Sequence, residues 1–154
     1  MCLSIEGQRP ADVLAKGMHL GYEWMVVHNG MGHRCGYVRV PKTHPWYGKD
    51  YDDVGAEVHG GLTFGRADVP CGKAEDGGYW FGFDCAHAQD APDPDLATPT
   101  AFAYPLHGSV VRTQEYVERE CRNLCEQAEL AAVAMGLHQD QAMPSLRSWR
   151  GWKE

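Results

Sequence analysis

The chain has 154 residues, 44% hydrophobic and 23% charged, a length that suits one domain burying roughly two thirds of its unfolded surface. Fourteen Lys and Arg against twenty-one Asp and Glu give a formal net charge of -7. That balance argues against a nucleic-acid polymer as partner, because such binders present a basic face. No stretch approaches the ~18 apolar residues of a membrane-spanning helix, so no membrane partner is expected.

Eighteen Gly and nine Pro predict many turns and short elements. Pro10 followed by ADVLAKGM predicts two turns of helix, stopped by Gly17 and Gly21. GYEWMVVH reads as a strand, rich in aromatic and β-branched residues. Asn29-Gly30 follows, and then RCGYVRV, so the two strands predict a hairpin. KTHPWYGKDYDD is turn-rich. A third strand is expected over Ala56 to His59, continued after the glycine pair by Leu62 to Phe64. Residues 66–78 form a polar loop, and YWFGFDCA is a strand apolar enough to be covered on both faces.

Residues 88–108 carry Pro92, Pro94, Pro99 and Pro105 and predict one long loop. A single long helix then starts at Thr113, a good N-cap, with Glu115 in its first turn. It runs to Met135 and stops at Gly136. Val117, Cys121, Leu124, Ala128 and Ala131 make one apolar stripe along it. The tail from Gln139 is polar apart from Met143, Leu146, Trp149 and Trp152, and suits packing on the body or on a partner. The expected fold is one α+β domain over 1–154. It has a small, mostly antiparallel sheet with one long C-terminal helix, about 113–135, packed on it.

The six cysteines (Cys2, Cys35, Cys71, Cys85, Cys121 and Cys125) contain no CxxC pair, and the N-terminal MCLSIEGQRP lacks a basic start and an apolar stretch. Reduced thiols and a cytosolic location are therefore expected.

Three segments carry residue types with chemistry to offer. In VHGGLTF, His59 precedes Gly60 and Gly61, whose freedom of φ lets the backbone turn sharply and approach a ligand. The plain alternative is a hairpin turn with an exposed histidine. In FGFDCAH, Asp84, Cys85 and His87 leave the end of an aromatic strand, where sites are commonly placed. Asp84 and His87 with His59 make a candidate set for a divalent metal ion. Cys85 is alternatively a nucleophile with His59 or His87 as its base, or simply a buried small side chain with Asp84 capping the next turn. In HPWYGKDYDD, Trp46 and Tyr47 offer faces for stacking on a base or sugar, and Asp52 and Asp53 offer paired carboxylates. The alternative there is a loop anchored to the core by its aromatics. His28, His33 and Cys35 make a weaker metal set, and Cys121 and Cys125 fit core packing on the helix stripe better than metal binding.

The strings GYVRVPKTHPWYGKDYDD, VHGGLTF and WFGFDCAH together resemble a family of bacteriophage and prophage proteins. The match covers residues 36–64 and 80–87, about a quarter of the chain. The resemblance implies a biological setting, the cytoplasm of a bacterial host, and assigns no activity and no catalytic residue. In that setting, sequestering a nucleotide signal of host defence is one strategy known for small phage proteins, an argument by analogy.

Three readings follow. The first is a binding module that captures a small nucleotide-like ligand with His59, Gly60, Gly61, Asp84, His87, Trp46 and Tyr47. The second is a metal-dependent phosphoester hydrolase with His59, Asp84 and His87 as ligands and Asp52 or Glu57 orienting the water. The third is a protein-binding inhibitor of a host factor that uses Trp149 and Trp152 as anchors. A homo-oligomer is compatible with all three.

Overall fold

The computed structural model describes residues 13–70, 74–96 and 107–136. Pro10, Cys2, Cys71 and the tail with Met143, Leu146, Trp149 and Trp152 lie outside these residues. The fold is α+β. Five antiparallel strands, β1 (Val13–His19), β2 (Tyr22–His28), β3 (Arg34–Val40), β4 (Phe64–Arg66) and β5 (Tyr79–Asp84), lie in the order β1-β2-β3-β5-β4. One long helix, α1 (Gln114–Ala134), packs on this sheet. A separate parallel pair joins β6 (Asp90–Ala91) to β7 (Val110–Val111). Among the described residues no helix is long and apolar enough to cross a membrane.

The first hairpin corrects the expected N-terminal helix. Residues 13–19 are a strand paired with β2, joined through Leu20 and Gly21, which both take positive φ (52° and 86°). Two such residues in a two-residue loop match the twist of the flanking strands. Gly17 stands opposite Trp24 in the register, and a Cβ there would run into the indole. Gly17 is therefore a seat for Trp24 and not a helix stop. The Asn29-Gly30 hairpin forms as expected, with His28 opposite Arg34. Asn29 organises its loop by accepting from the backbone N–H of Met31 (2.8 Å) and His33 (3.2 Å).

The expected strand at Ala56 to His59 does not form, and β4 is confined to Phe64–Arg66. The backbone of Glu57 is bonded instead to helix side chains. Its N–H donates to Gln127 (2.8 Å), and its carbonyl accepts from Gln127 (2.8 Å) and Asn123 (3.2 Å). These bonds tie residue 57 to α1 rather than to a strand ladder. The Pro-rich stretch is not one continuous loop either, since β6 and β7 lie within and beside it.

Alternation sorts the strands onto two buried faces. Trp24, Val26, Val38, Phe81 and Phe83 meet Val117, Cys121, Leu124, Cys125 and Ala128 of α1. Met25, Val27, Cys35, Tyr37 and Trp80 form the other face, also buried, so β5 is covered on both sides as its composition predicts. Thr113 caps the helix as expected, accepting from the Tyr116 N–H. Cys121 and Cys125 are fully buried in the helix stripe, and burial pushes the Cys125 thiol up to about 12, so they serve as core residues.

Candidate functional site

The site forms where three chain segments meet beyond the ends of β3 and β5. The first is the turn Val58–Gly61, closed by the Gly61 N–H donating to the Val58 carbonyl (2.9 Å). It carries His59. The second leaves β5 at Asp84, whose Oδ1 accepts from the Ala86 N–H (3.1 Å) and so starts the turn that carries His87. The third is the β6–β7 pair, which sets Asp90 beside Arg112. Residues 59–61 and 84–87 thus fold next to one another, with the His59 and His87 rings 5.5 Å apart.

Asp90 is the centre of this arrangement. Its side chain is 0% exposed, and its Oδ2 lies 2.8 Å from His59 Nε2 and 3.1 Å from His87 Nδ1. The same oxygen accepts from the His87 backbone N–H (3.0 Å), while Oδ1 accepts from Arg112 Nε (2.8 Å). Burial alone would raise the Asp90 pKa. The donors Arg112, His59 and His87 together outweigh it and hold the carboxyl well below the usual carboxylate range. An ionised carboxylate only accepts, so both imidazoles donate to it in this state. Tyr116 completes the surround: its hydroxyl is 2.9 Å from His59 Nδ1 and donates to Glu120 Oε1 (3.4 Å). The Arg112 guanidinium lies over its ring at 5.1 Å. Burial, and then the Glu120 charge, raise the Tyr116 pKa, so the phenol stays protonated.

A second ion pair braces these segments against β3. Arg34 donates to Asp93 (2.9 Å) and to the Arg112 carbonyl (2.9 Å), and the Asp93 N–H donates to the Gly32 carbonyl (2.8 Å). The Asp93 carboxyl is held below its ordinary value first by the Asp95 N–H, and then, against burial, by Arg34. A depressed folded value contributes stability that is whole above about pH 4, the unfolded value, and drains away as the pH falls through the folded one. Denaturant unfolding of wild type and Asp93→Asn between pH 5 and pH 2 is expected to show a shallower acid limb for the variant. Parallel limbs would contradict this account.

The other expected site residues are placed as follows. Asp84 lies opposite Cys35 in the sheet register, accepts from the Thr63 hydroxyl (3.1 Å), and keeps its Oδ1 3.8 Å from His87 Nε2. The cluster of convergent donor atoms among the described residues is therefore His59, His87 and Asp90, with Asp90 in the place expected for Asp84. Trp46 is 6% exposed and packs against His44 and Phe81 in the core. Tyr47 packs on Tyr79, at the opposite end of β5 from Asp84, about 17 Å away along the strand. Neither aromatic lines this site. Asp52 sits in a short 3-10 turn and Glu57 is exposed on its helix-bound segment, so neither joins the cluster.

Cys85 is buried in the core and burial drives its thiol pKa up, which removes the nucleophile reading, since the thiolate is the reactive form. His28 accepts from the Gly32 N–H, and His33 Nδ1 bonds the Cys85 carbonyl, so these two histidines brace loops rather than form a metal set with Cys35.

The two glycines have different work. Gly60 and Gly61 both take positive φ (68° and 81°), so alanine at either costs about 1 kcal/mol of backbone strain. A Cβ on Gly60 would also run into the His87 ring, whereas one on Gly61 meets nothing within 4 Å. Gly60→Ala is expected to lose more stability than Gly61→Ala, and alone to shift the His87 ring resonances in an NMR spectrum. Identical His87 resonances in the two variants would refute this.

Asp90, Arg112 and Tyr116 are the residues that sequence reasoning missed. The signal for Asp90 was the spacing Asp84, His87, Asp90, three residues apart, which continues the segment already singled out. In comparisons with family models, curated proteins and solved structures, the chain matches none.

Proposed function

We propose that the chain captures a small phosphate-bearing molecule of the nucleotide class over the His59–Asp90–His87 cluster. The observation that carries this reading is a buried carboxylate, paired with Arg112, that fixes two imidazoles side by side, His59 mostly covered and His87 exposed. The His87 side chain is 40% exposed, and the space over Gly61 is open. A few fixed polar groups are how small-ligand sites set orientation. The nucleotide class is drawn from the resemblance to phage proteins and the strategy of sequestering a host defence signal, which also sets the action in the bacterial cytoplasm. Stacking by Trp46 and Tyr47 no longer supports it, so the reading rests on the polar cluster.

A second reading is hydrolysis of the bound phosphoester. Two imidazoles held on one buried carboxylate favour it, because oriented histidines are suited to proton transfer. Calorimetry of the wild type and His87→Ala with a panel of cyclic and ADP-ribose-type nucleotides tests capture. Heat with at least one of them, lost in His87→Ala, is expected. No heat with any, at protein concentrations well above micromolar, removes the proposal. Chromatography of the same mixtures separates the two readings, since capture returns the nucleotide intact and hydrolysis does not.

A further inference from the structure

Asp90 and Asp84 both lie against His87, and the Arg112 guanidinium is committed to Asp90 Oδ1. A phosphate bound here would lie near these carboxylates, so positive charge beside it favours binding. Three donor atoms converge where that charge would fit. His59 Nε2 and His87 Nδ1 lie 2.8 and 3.1 Å from Asp90 Oδ2, and all three atoms lie within 4.8 Å of one another. Ligands of a tetrahedral ion with bonds of about 2.0–2.1 Å stand about 3.3 Å apart, so small side-chain shifts suffice.

The far atom of each donor also faces a partner suited to metal binding. His59 Nδ1 faces the Tyr116 hydroxyl at 2.9 Å, and that hydroxyl reaches Glu120 at 3.4 Å. It can therefore accept from an Nδ1–H while donating onward. His87 Nε2 faces Asp84 Oδ1 at 3.8 Å, and Asp84 is itself steadied by Thr63. Asp90 Oδ1 is held by Arg112 at 2.8 Å. An imidazole that binds a metal through one nitrogen characteristically donates its other N–H to a carboxylate, a carbonyl or water, and that partner fixes ring orientation. His59 here has such an acceptor within hydrogen-bond distance, and His87 has a carboxylate 3.8 Å away, within reach after a small side-chain shift.

We propose that His59 Nε2, His87 Nδ1 and Asp90 Oδ2 hold one divalent transition-metal ion of the zinc class, with an open position through which the phosphate of the captured ligand binds. Two imidazoles and a carboxylate suit zinc, manganese or iron(II) rather than calcium or magnesium. The exposed His87 edge gives the ion its way in, and Asp84 is a positioning residue for His87. The charge argument rests on the capture reading, whereas the donor geometry does not.

Chelator-treated full-length protein is titrated with zinc chloride by calorimetry, and with cobalt chloride by visible absorption. One ion per chain is expected, with the intense visible bands of four-coordinate cobalt. His59→Ala and His87→Ala are expected to weaken zinc binding at least tenfold, and Asp84→Asn by roughly tenfold or more, all with an unchanged circular dichroism spectrum. His107→Ala, at an exposed turn outside the cluster, is expected to bind zinc as the wild type does. No stoichiometric zinc in the wild type, or undiminished affinity in His87→Ala, overturns the proposal. ADP-ribose is then titrated into stripped and zinc-loaded protein. Zinc binding with no ADP-ribose heat, extended to the other nucleotides of the panel, leaves the metal site standing and removes capture. Equal nucleotide heat with and without zinc removes the bridging role of the metal and leaves capture standing.

Discussion

Asp90→Ala is expected to destabilise the chelator-treated protein by about 3 kcal/mol, which lowers the melting temperature of a domain this size by roughly 6–12 °C. The mechanism is the loss of one partner from a buried charged cluster. Asp90 Oδ1 and Oδ2 together accept four hydrogen bonds, from Arg112, His59 and His87. Alanine leaves the guanidinium and two imidazoles crowded without an acceptor. The Arg112 side chain is 26% exposed and can turn partly to water, which places the loss near the low end for broken buried pairs. Asp84→Asn is the comparison. Its carboxyl is partly exposed and keeps a polar replacement, so a loss under about 1 kcal/mol is expected. Thermal unfolding followed by circular dichroism measures both, and equal melting temperatures for the two variants would show that Asp90 does not hold the segments together.

Phe83→Ala is expected to cost about 3–5 kcal/mol by emptying the space between sheet and helix. Phe83 is fully buried opposite Gly36 in the β3–β5 register. A Cβ on Gly36 would collide with the Phe83 ring and come within 2.7 Å of Cys121 Sγ. Strand, ring and helix thus fill the same volume, and neither a smaller ring nor a larger Gly36 is accommodated freely. Gly36→Ala is accordingly expected to cost about 1–3 kcal/mol alone, and less in a Phe83→Leu background, because the two sites share one volume. Leu130→Ala, at an exposed helix position, is expected to change stability by no more than about 0.5 kcal/mol. Additive losses for Gly36→Ala and Phe83→Leu in denaturant titrations would contradict this packing account.

The parts of the fold that sequence makes legible are those with local physical causes. The β2–β3 hairpin follows from an Asn-Gly turn between two β-rich strings, and α1 from its cap and apolar stripe. β1 is not legible in this way. ADVLAKGM is made largely of good helix formers, and only the pairing of its residues from Val13 on with β2, with Trp24 lying over Gly17, makes that part a strand. The stretch at Ala56 to His59 fails for a related reason, since Gln127 and Asn123 act on it from about seventy positions away.

The site divides along the same line. His59-Gly60-Gly61 and Asp84-Cys85-Ala86-His87 advertise themselves by glycines and a strand end. Asp90 lies three residues further, but the prolines beyond it give that stretch the look of loop. Arg112 and Tyr116 come from across the chain and leave no local sign. Trp46 illustrates the opposite error, because composition cannot separate an aromatic that stacks on a ligand from one that fills a core. Its 6% exposure decides for the core.

The parallel β6–β7 pair has a consequence for how the chain tolerates change. It brings Asp90 level with Val110 and Ala91 level with Val111, and Arg34 holds the residues just beyond both strands through Asp93 and the Arg112 carbonyl. Doubling the length of a closed, flexible loop adds only about 0.6 kcal/mol of closure cost. Residues added between 96 and 107 would accordingly cost the site little, because Arg34 holds the chain on both sides of the addition.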